Sequence, residues 1–218
     1  MTGARVAPWW LLPPALLFGA GVVLAATGDA PRPEEDAVYQ GDLLVGGLVQ
    51  AALFVAYCFL ATWRSHVSAR EALALRRPPA AGTARLVGAV FAALLVANLV
   101  LEPLTHAGEE QGIAPTRDPR GDEWLLFALA LVVLAVAAPI SEELVFRGLG
   151  FAALPRFPIP LTAALFAAAH QLPELLAPVF VAGLVLGWLR ARTDSILPGI
   201  LVHAALNATG LLVALAVA

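Results

Sequence analysis

From Leu43 to Trp63 the chain carries no charged residue, and a run of about 20 apolar residues is what an α-helix needs to cross the hydrocarbon core of a bilayer. In lipid every backbone N–H and C=O must be paired within the segment, so such a run is restricted to a helix. It is not alone. Trp9–Ala26, Leu86–Leu104, Trp124–Ile140 and Ile196–Ala218 are similarly apolar, while Leu161–Leu176 and Pro178–Leu189 are shorter runs on either side of a proline-containing break. A composition of 60% hydrophobic and 13% charged residues over 218 positions, with mean hydropathy of +0.83, excludes an ordinary soluble domain. The expected fold is all-α, a polytopic transmembrane helix bundle of about seven spans. Trp9–Ala26, kinked by Pro13-Pro14, suits a span better than the shorter core of a secretory signal.

The charges between the runs orient the bundle. Arg64, Arg70, Arg76, Arg77 and Arg85 face a single acid, Glu71, between the second and third runs, whereas the segments before Leu43 and after Leu104 are acidic. By the positive-inside rule the arginine-rich loop is cytoplasmic, and Arg190 and Arg192 mark another return to that side. The basic residues are all arginine, and with a net charge of −3 and basic residues scattered along the chain they offer no footprint for nucleic acid. Cys58, the single cysteine, rules out an intrachain disulfide and is read as a small core residue.

Against this apolar background stand three polar groups. The first is Glu142, Glu143 and Arg147, in Pro139–Gly150, at the end of the fourth run. Left facing lipid, each charge would cost about 2.5–3.5 kcal/mol, so the triplet must pair internally or line a polar cavity. Glu143 and Arg147, four apart, share a helix face, and Glu142 lies about 100° round from Glu143. The second group is His170, and the third is His203 with Asn207, one turn apart. Counted at about 1.5 Å per residue, His203 lies on the order of 10 Å and His170 on the order of 15 Å inside the membrane from the cytoplasmic side. All three groups can therefore meet in the cytoplasmic half of the bundle. A carboxylate with two imidazoles can hold a metal such as Zn2+ or activate a water directly, and a side-chain amide can donate to a developing oxyanion.

The other polar residues invite structural readings. Glu102 and His106 are also four apart but belong to the opposite end of the bundle, and His66 belongs to the basic loop. Asn98 suits a hydrogen bond between helices. Trp9, Trp10, Trp63, Trp124 and Trp188 read as interfacial anchors. Gly183 and Gly187 form a small-xxx-small face for close helix packing.

Glu142-Glu143-x-x-x-Arg147, Phe166-x-x-x-His170 and His203-x-x-x-Asn207, in that order, resemble the three motifs of the CPBP intramembrane proteases, which include type II CAAX prenyl proteases and bacteriocin-processing proteins of the ABI-like group. The resemblance divides the chain into N-terminal transmembrane helices and loops, 1–123, and a CPBP-like protease core, 124–218. It implies an intramembrane endopeptidase acting on a membrane-associated protein or peptide, which the charge pattern places at the cytoplasmic leaflet and the composition in a bacterial cell membrane. Carried over by position, Glu142 would be the base that activates water, and His170 would help hold that water or a metal. His203 and Asn207 would bind the metal or stabilise the oxyanion, Glu143 with Arg147 would shape the site, and Phe166 would pack beneath His170. If zinc is present, Glu142, His170 and His203 are the expected ligands, leaving a fourth position for water. The alternatives are a catalytically idle scaffold or maturation partner and, less well supported because the outer halves of the spans are nearly featureless, a proton-coupled transporter.

Overall fold

A computed structural model describes residues 5–16, 36–78, 80–106 and 115–218 of the chain. Its regular elements are helical: Gly41–Arg64 (α1), the short Ala69–Ala72 (α2), Ala80–Thr105 (α3), Glu123–Ala153 (α4), Pro158–Ala169 (α5), Pro173–Thr193 (α6) and Leu197–Val217 (α7). Among the described residues five helices, α1, α3, α4, α6 and α7, are long and apolar enough to cross a membrane, and α5 is a shorter apolar helix. Residues 17–35, the greater part of the expected first span, lie outside the described residues.

The distribution of side chains is that of a bundle in lipid. Leu99, Val100, Leu104, Leu125 and Val217 are among the most exposed large hydrophobic residues, whereas Glu143 and Arg147 are wholly buried. This inverts the pattern of a soluble protein and follows from the solvent: lipid accepts leucine but offers a buried ion pair nothing.

Two polar clusters mark the ends of the bundle. At one end Arg76 pairs with Asp194 at 2.8 Å, Arg190 reaches the same carboxylate at 3.1 Å, and Ser195 Oγ donates to the Arg76 carbonyl at 2.6 Å. The arginine-rich segment and the α6–α7 turn are thus fixed to each other. Asp194 makes that turn in the left-handed region, at φ 49°, and the Leu197 N–H donates to Ser195 Oγ at 3.2 Å to open α7. At the other end Arg117 forms a two-pronged bond to Glu123, at 2.7 and 2.8 Å, lies 3.3 Å from Asp36 and stacks over Tyr39. Burial pushes the Tyr39 hydroxyl above its ordinary value, with the Asp36 charge adding to it. Trp63 and Trp124 are exposed, as anchors would be, but Trp10 instead packs edge-on against Tyr57, whose hydroxyl donates to the Trp10 carbonyl at 2.6 Å.

The helix that carries the acids is not uniform. Within α4, Val133–Ala137 and Glu143–Leu149 are wide π turns separated by one α segment, Ala138–Glu142. Wide turns of this kind are rare and concentrate at functional sites. Pro139, which has no N–H to donate, stands between them.

Candidate active site

The site is built where α4 meets α5, α6 and α7. Arg147 Nη1 donates to Glu143 Oε1 at 2.8 Å, one turn back along α4, and Arg147 Nη2 donates to the Gly183 carbonyl of α6 at 3.3 Å. Both side chains are fully buried. The guanidinium therefore serves as counter-charge to Glu143 and as a tether between two helices. Its fork geometry suits that double task in a way an ammonium would not.

Gly183 explains how the helices come close enough. A Cβ placed there would sit 2.9 Å from the Ala163 backbone of α5. The small-residue face expected from Gly183 and Gly187 is a packing face, and it also presents the carbonyl that receives Arg147.

His203 enters from α7 between the two acids. Its Nε2 is 3.5 Å from Glu142 Oε2 and its Nδ1 is 3.5 Å from Glu143 Oε1. These are close electrostatic contacts and too long for strong hydrogen bonds; Nδ1 has no hydrogen-bond partner among the described residues. The two carboxylates differ sharply in access: the Glu142 side chain is 26% exposed and that of Glu143 is 0%. The acid that a water or substrate can reach is Glu142. The close approach of α7 needs Gly199, because a Cβ there would lie 2.6 Å from Glu143 Oε2.

Phe166 of α5 joins the remaining pieces. Its ring lies edge-on to His170 at 4.9 Å and to His203 at 5.6 Å, and it receives the Arg147 guanidinium on its face at 4.3 Å. The expected packing of Phe166 beneath His170 is seen, and the ring also packs against the second imidazole and the buried cation. His170 caps the C-terminus of α5, with Nδ1 2.9 Å from the Phe166 carbonyl. A carbonyl can only accept, so Nδ1 carries a proton, and in the neutral imidazole the lone pair is then on Nε2.

Glu142, Glu143, Arg147 and His203 are thus in one cluster. His170 joins it through the Phe166 ring, while Asn207 donates through Nδ2 to the Leu134 carbonyl of α4 at 2.8 Å. Among the described residues no three His, Cys, Asp or Glu side chains form a group able to hold a metal ion. Glu102 falls in the last turn of α3, and His106 follows its final residue, Thr105.

Gly199 and Leu134 contribute to the site without a sequence signal, and the packing face read at Gly183 does not reveal that its carbonyl receives Arg147. Leu134 acts through its backbone carbonyl, Gly199 by lacking a side chain, and Gly183 in both ways. Gly199→Ala is expected to push against the Glu143 carboxylate, costing about 1–3 kcal/mol of stability as overpacking does. Gly210→Ala, in the same helix and facing open space, is the control and is expected to leave the melting temperature unchanged or slightly raised. Equal melting temperatures for the two variants would show that α7 does not depend on a bare backbone at Gly199.

Residues 124–209, which contain all three motifs and every site residue described above, match the family model described as Type II CAAX prenyl endopeptidase Rce1-like. No curated protein and no solved structure matches the chain. A family of proteases and a set of helices apolar enough to span a bilayer agree on an integral membrane protein. Over residues 124–209, a stretch of 86 of the 218 residues, the chain is thus similar to the Rce1-like type II CAAX prenyl endopeptidases.

Proposed function

We propose that the chain is an intramembrane endopeptidase of a bacterial cell membrane that hydrolyses a peptide bond in a membrane-associated protein or peptide, at the cytoplasmic leaflet. The observation that carries this reading is Glu142, a partly accessible carboxylate beside His203 in an otherwise apolar bundle. Glu142 accepts a proton from a water, and the resulting hydroxide attacks the carbonyl carbon of the scissile bond. The proton then passes to the departing amine, either from Glu142 or by way of His203. Glu143, held by Arg147, faces Nδ1 of the same imidazole and favours the tautomer with its proton there, which leaves Nε2 free to share in the transfer. His170, whose Nδ1 is held by the Phe166 carbonyl, can orient the same water through Nε2 when the ring is neutral.

Cytoplasmic placement is supported by the arginine-rich segment, tied through Arg76 to the α6–α7 turn at the end of the bundle nearer Glu142. A C-terminal CAAX-type peptide carrying a prenyl chain is the substrate class that the family suggests; a non-prenylated membrane peptide would use the same chemistry.

The test is cleavage by the purified protein in liposomes, using an internally quenched CAAX-type peptide with and without a farnesyl group. Cleavage of at least one peptide is expected, and a preference for the farnesylated one would identify the substrate class. Metal content and activity after chelation, measured on the same preparation, decide whether Zn2+ takes part. In cells, cysteines at Arg77 and Asp118, both exposed, should be labelled from the cytoplasm and from outside, respectively; native Cys58 is fully buried and does not interfere. Absence of cleavage with either peptide, with and without added Zn2+, would count against the enzyme reading and favour a scaffold role.

A further inference from the structure

One carbonyl in α4 cannot be paired by its own helix. In an α-helix the Leu134 carbonyl would receive the N–H of residue 138, but the Ala138 N–H donates to the Val133 carbonyl instead, as the wide turn Val133–Ala137 requires. Continued in the wide pattern, the donor to Leu134 would be residue 139. That residue is proline and has no N–H. The missing donor comes from another helix: Asn207 Nδ2 reaches the Leu134 carbonyl at 2.8 Å.

We infer that Asn207 is a positioning residue, whose amide replaces the N–H that Pro139 lacks and so holds open the wide turn that aims Glu142 and Glu143 at His203. The geometry gives the turn its importance. A wide turn amounts to one extra residue, and one residue turns an α-helix by about 100°. Without it, the residues after Ala137 would be rotated by that angle relative to those before, and both glutamates would leave His203. The helix that supplies Asn207 also supplies His203, one turn earlier. A single face of α7 thus fixes α4 on the N-terminal side of the acids and meets the acids themselves. This role is played toward the protein's own backbone through one of the two Nδ2 protons and needs no substrate.

The link between Asn207 and Pro139 is read without any substrate, by amide hydrogen exchange over residues 138–143 in detergent. Asn207→Leu, which keeps the side-chain volume, should speed that exchange about tenfold, as expected when a buried carbonyl loses its donor. In a Pro139→Ala background the restored N–H can pair with Leu134, and the same Asn207→Leu change should alter exchange less than about twofold on the same grounds. Equal effects in the two backgrounds, or none in either, would overturn the inference. Should Asn207→Leu alone fail to fold, the double variant is expected to recover folding, and its failure to do so would likewise overturn it.

The catalytic consequence rests on the endopeptidase reading and is measured separately. With the quenched farnesylated peptide, Asn207→Leu should lower kcat about tenfold with little change in KM, whereas in the Pro139→Ala background the same change should lower it less than about twofold. An equal kcat loss in both backgrounds would make Asn207 a group that meets the substrate. A wild-type protein inactive on the peptide would count against the proteolytic reading, while hydrogen exchange would still decide the Asn207–Pro139 link.

Discussion

Glu142→Gln is expected to abolish peptide hydrolysis while leaving folding and abundance close to wild type. The amide is nearly the same size as the carboxylate but cannot take the proton of an attacking water, and general-base contributions are about 10²–10⁴-fold. Stability should change little because the Glu142 carboxylate is partly exposed and the ionisable side chain beside it, His203, is 3.5 Å away. That contrasts with Glu143, whose carboxylate is buried against Arg147 at 2.8 Å. Glu143→Gln should therefore damage folding as well as rate, and the two substitutions separate a reacting acid from a structural one. The measurement is turnover of the quenched peptide beside melting temperature in detergent. If Glu142→Gln retained more than about a tenth of wild-type turnover, a magnitude below the range for a lost base, the base would have to be sought elsewhere, with His203 the first candidate.

Much of this arrangement is legible in the sequence, for a physical reason. A charge in a long apolar run must have a partner, and Glu143 with Arg147 at helical spacing already supplies one. His203 and Asn207, one turn apart, are similarly visible as a polar face, and α7 does bring both against α4. What the sequence hides is the set of partners that carry no side-chain signal. The carbonyls of Leu134 and Gly183 look like any other backbone groups until the helices are packed. The bare backbone at Gly199 has meaning only once Glu143 lies opposite it. The wide turns in α4 are also concealed, since hydropathy reads the same along α and π geometry; Pro139 within the helix is the one local sign that a backbone bond is missing there. Phe166 reads as packing, and its ring does pack, but its simultaneous contact with Arg147, His170 and His203 depends on three helices meeting.

Arg147→Met should be the most destabilising single change at the site. Removing the guanidinium leaves the Glu143 carboxylate fully buried with its nearest cation gone, a loss that typically costs about 3–5 kcal/mol when one partner of a buried pair is deleted. It also removes the donor to the Gly183 carbonyl and the cation on the face of Phe166, so α4, α5 and α6 lose a shared anchor. Arg147→Lys should recover only part of this. One ammonium cannot reproduce the fork that meets Glu143 and Gly183 together. The decisive variant is Arg147→Met with Glu143→Gln, which removes both charges. If the cost of Arg147→Met is an uncompensated buried acid, the double variant should be more stable than Arg147→Met alone, even though it carries one more substitution. If instead the cost is lost packing and tethering, Glu143→Gln will add to the damage. Melting temperatures of wild type, the two single variants and the double variant complete the cycle. A double variant no more stable than Arg147→Met would place the importance of Arg147 in its contacts with α5 and α6 and not in its charge.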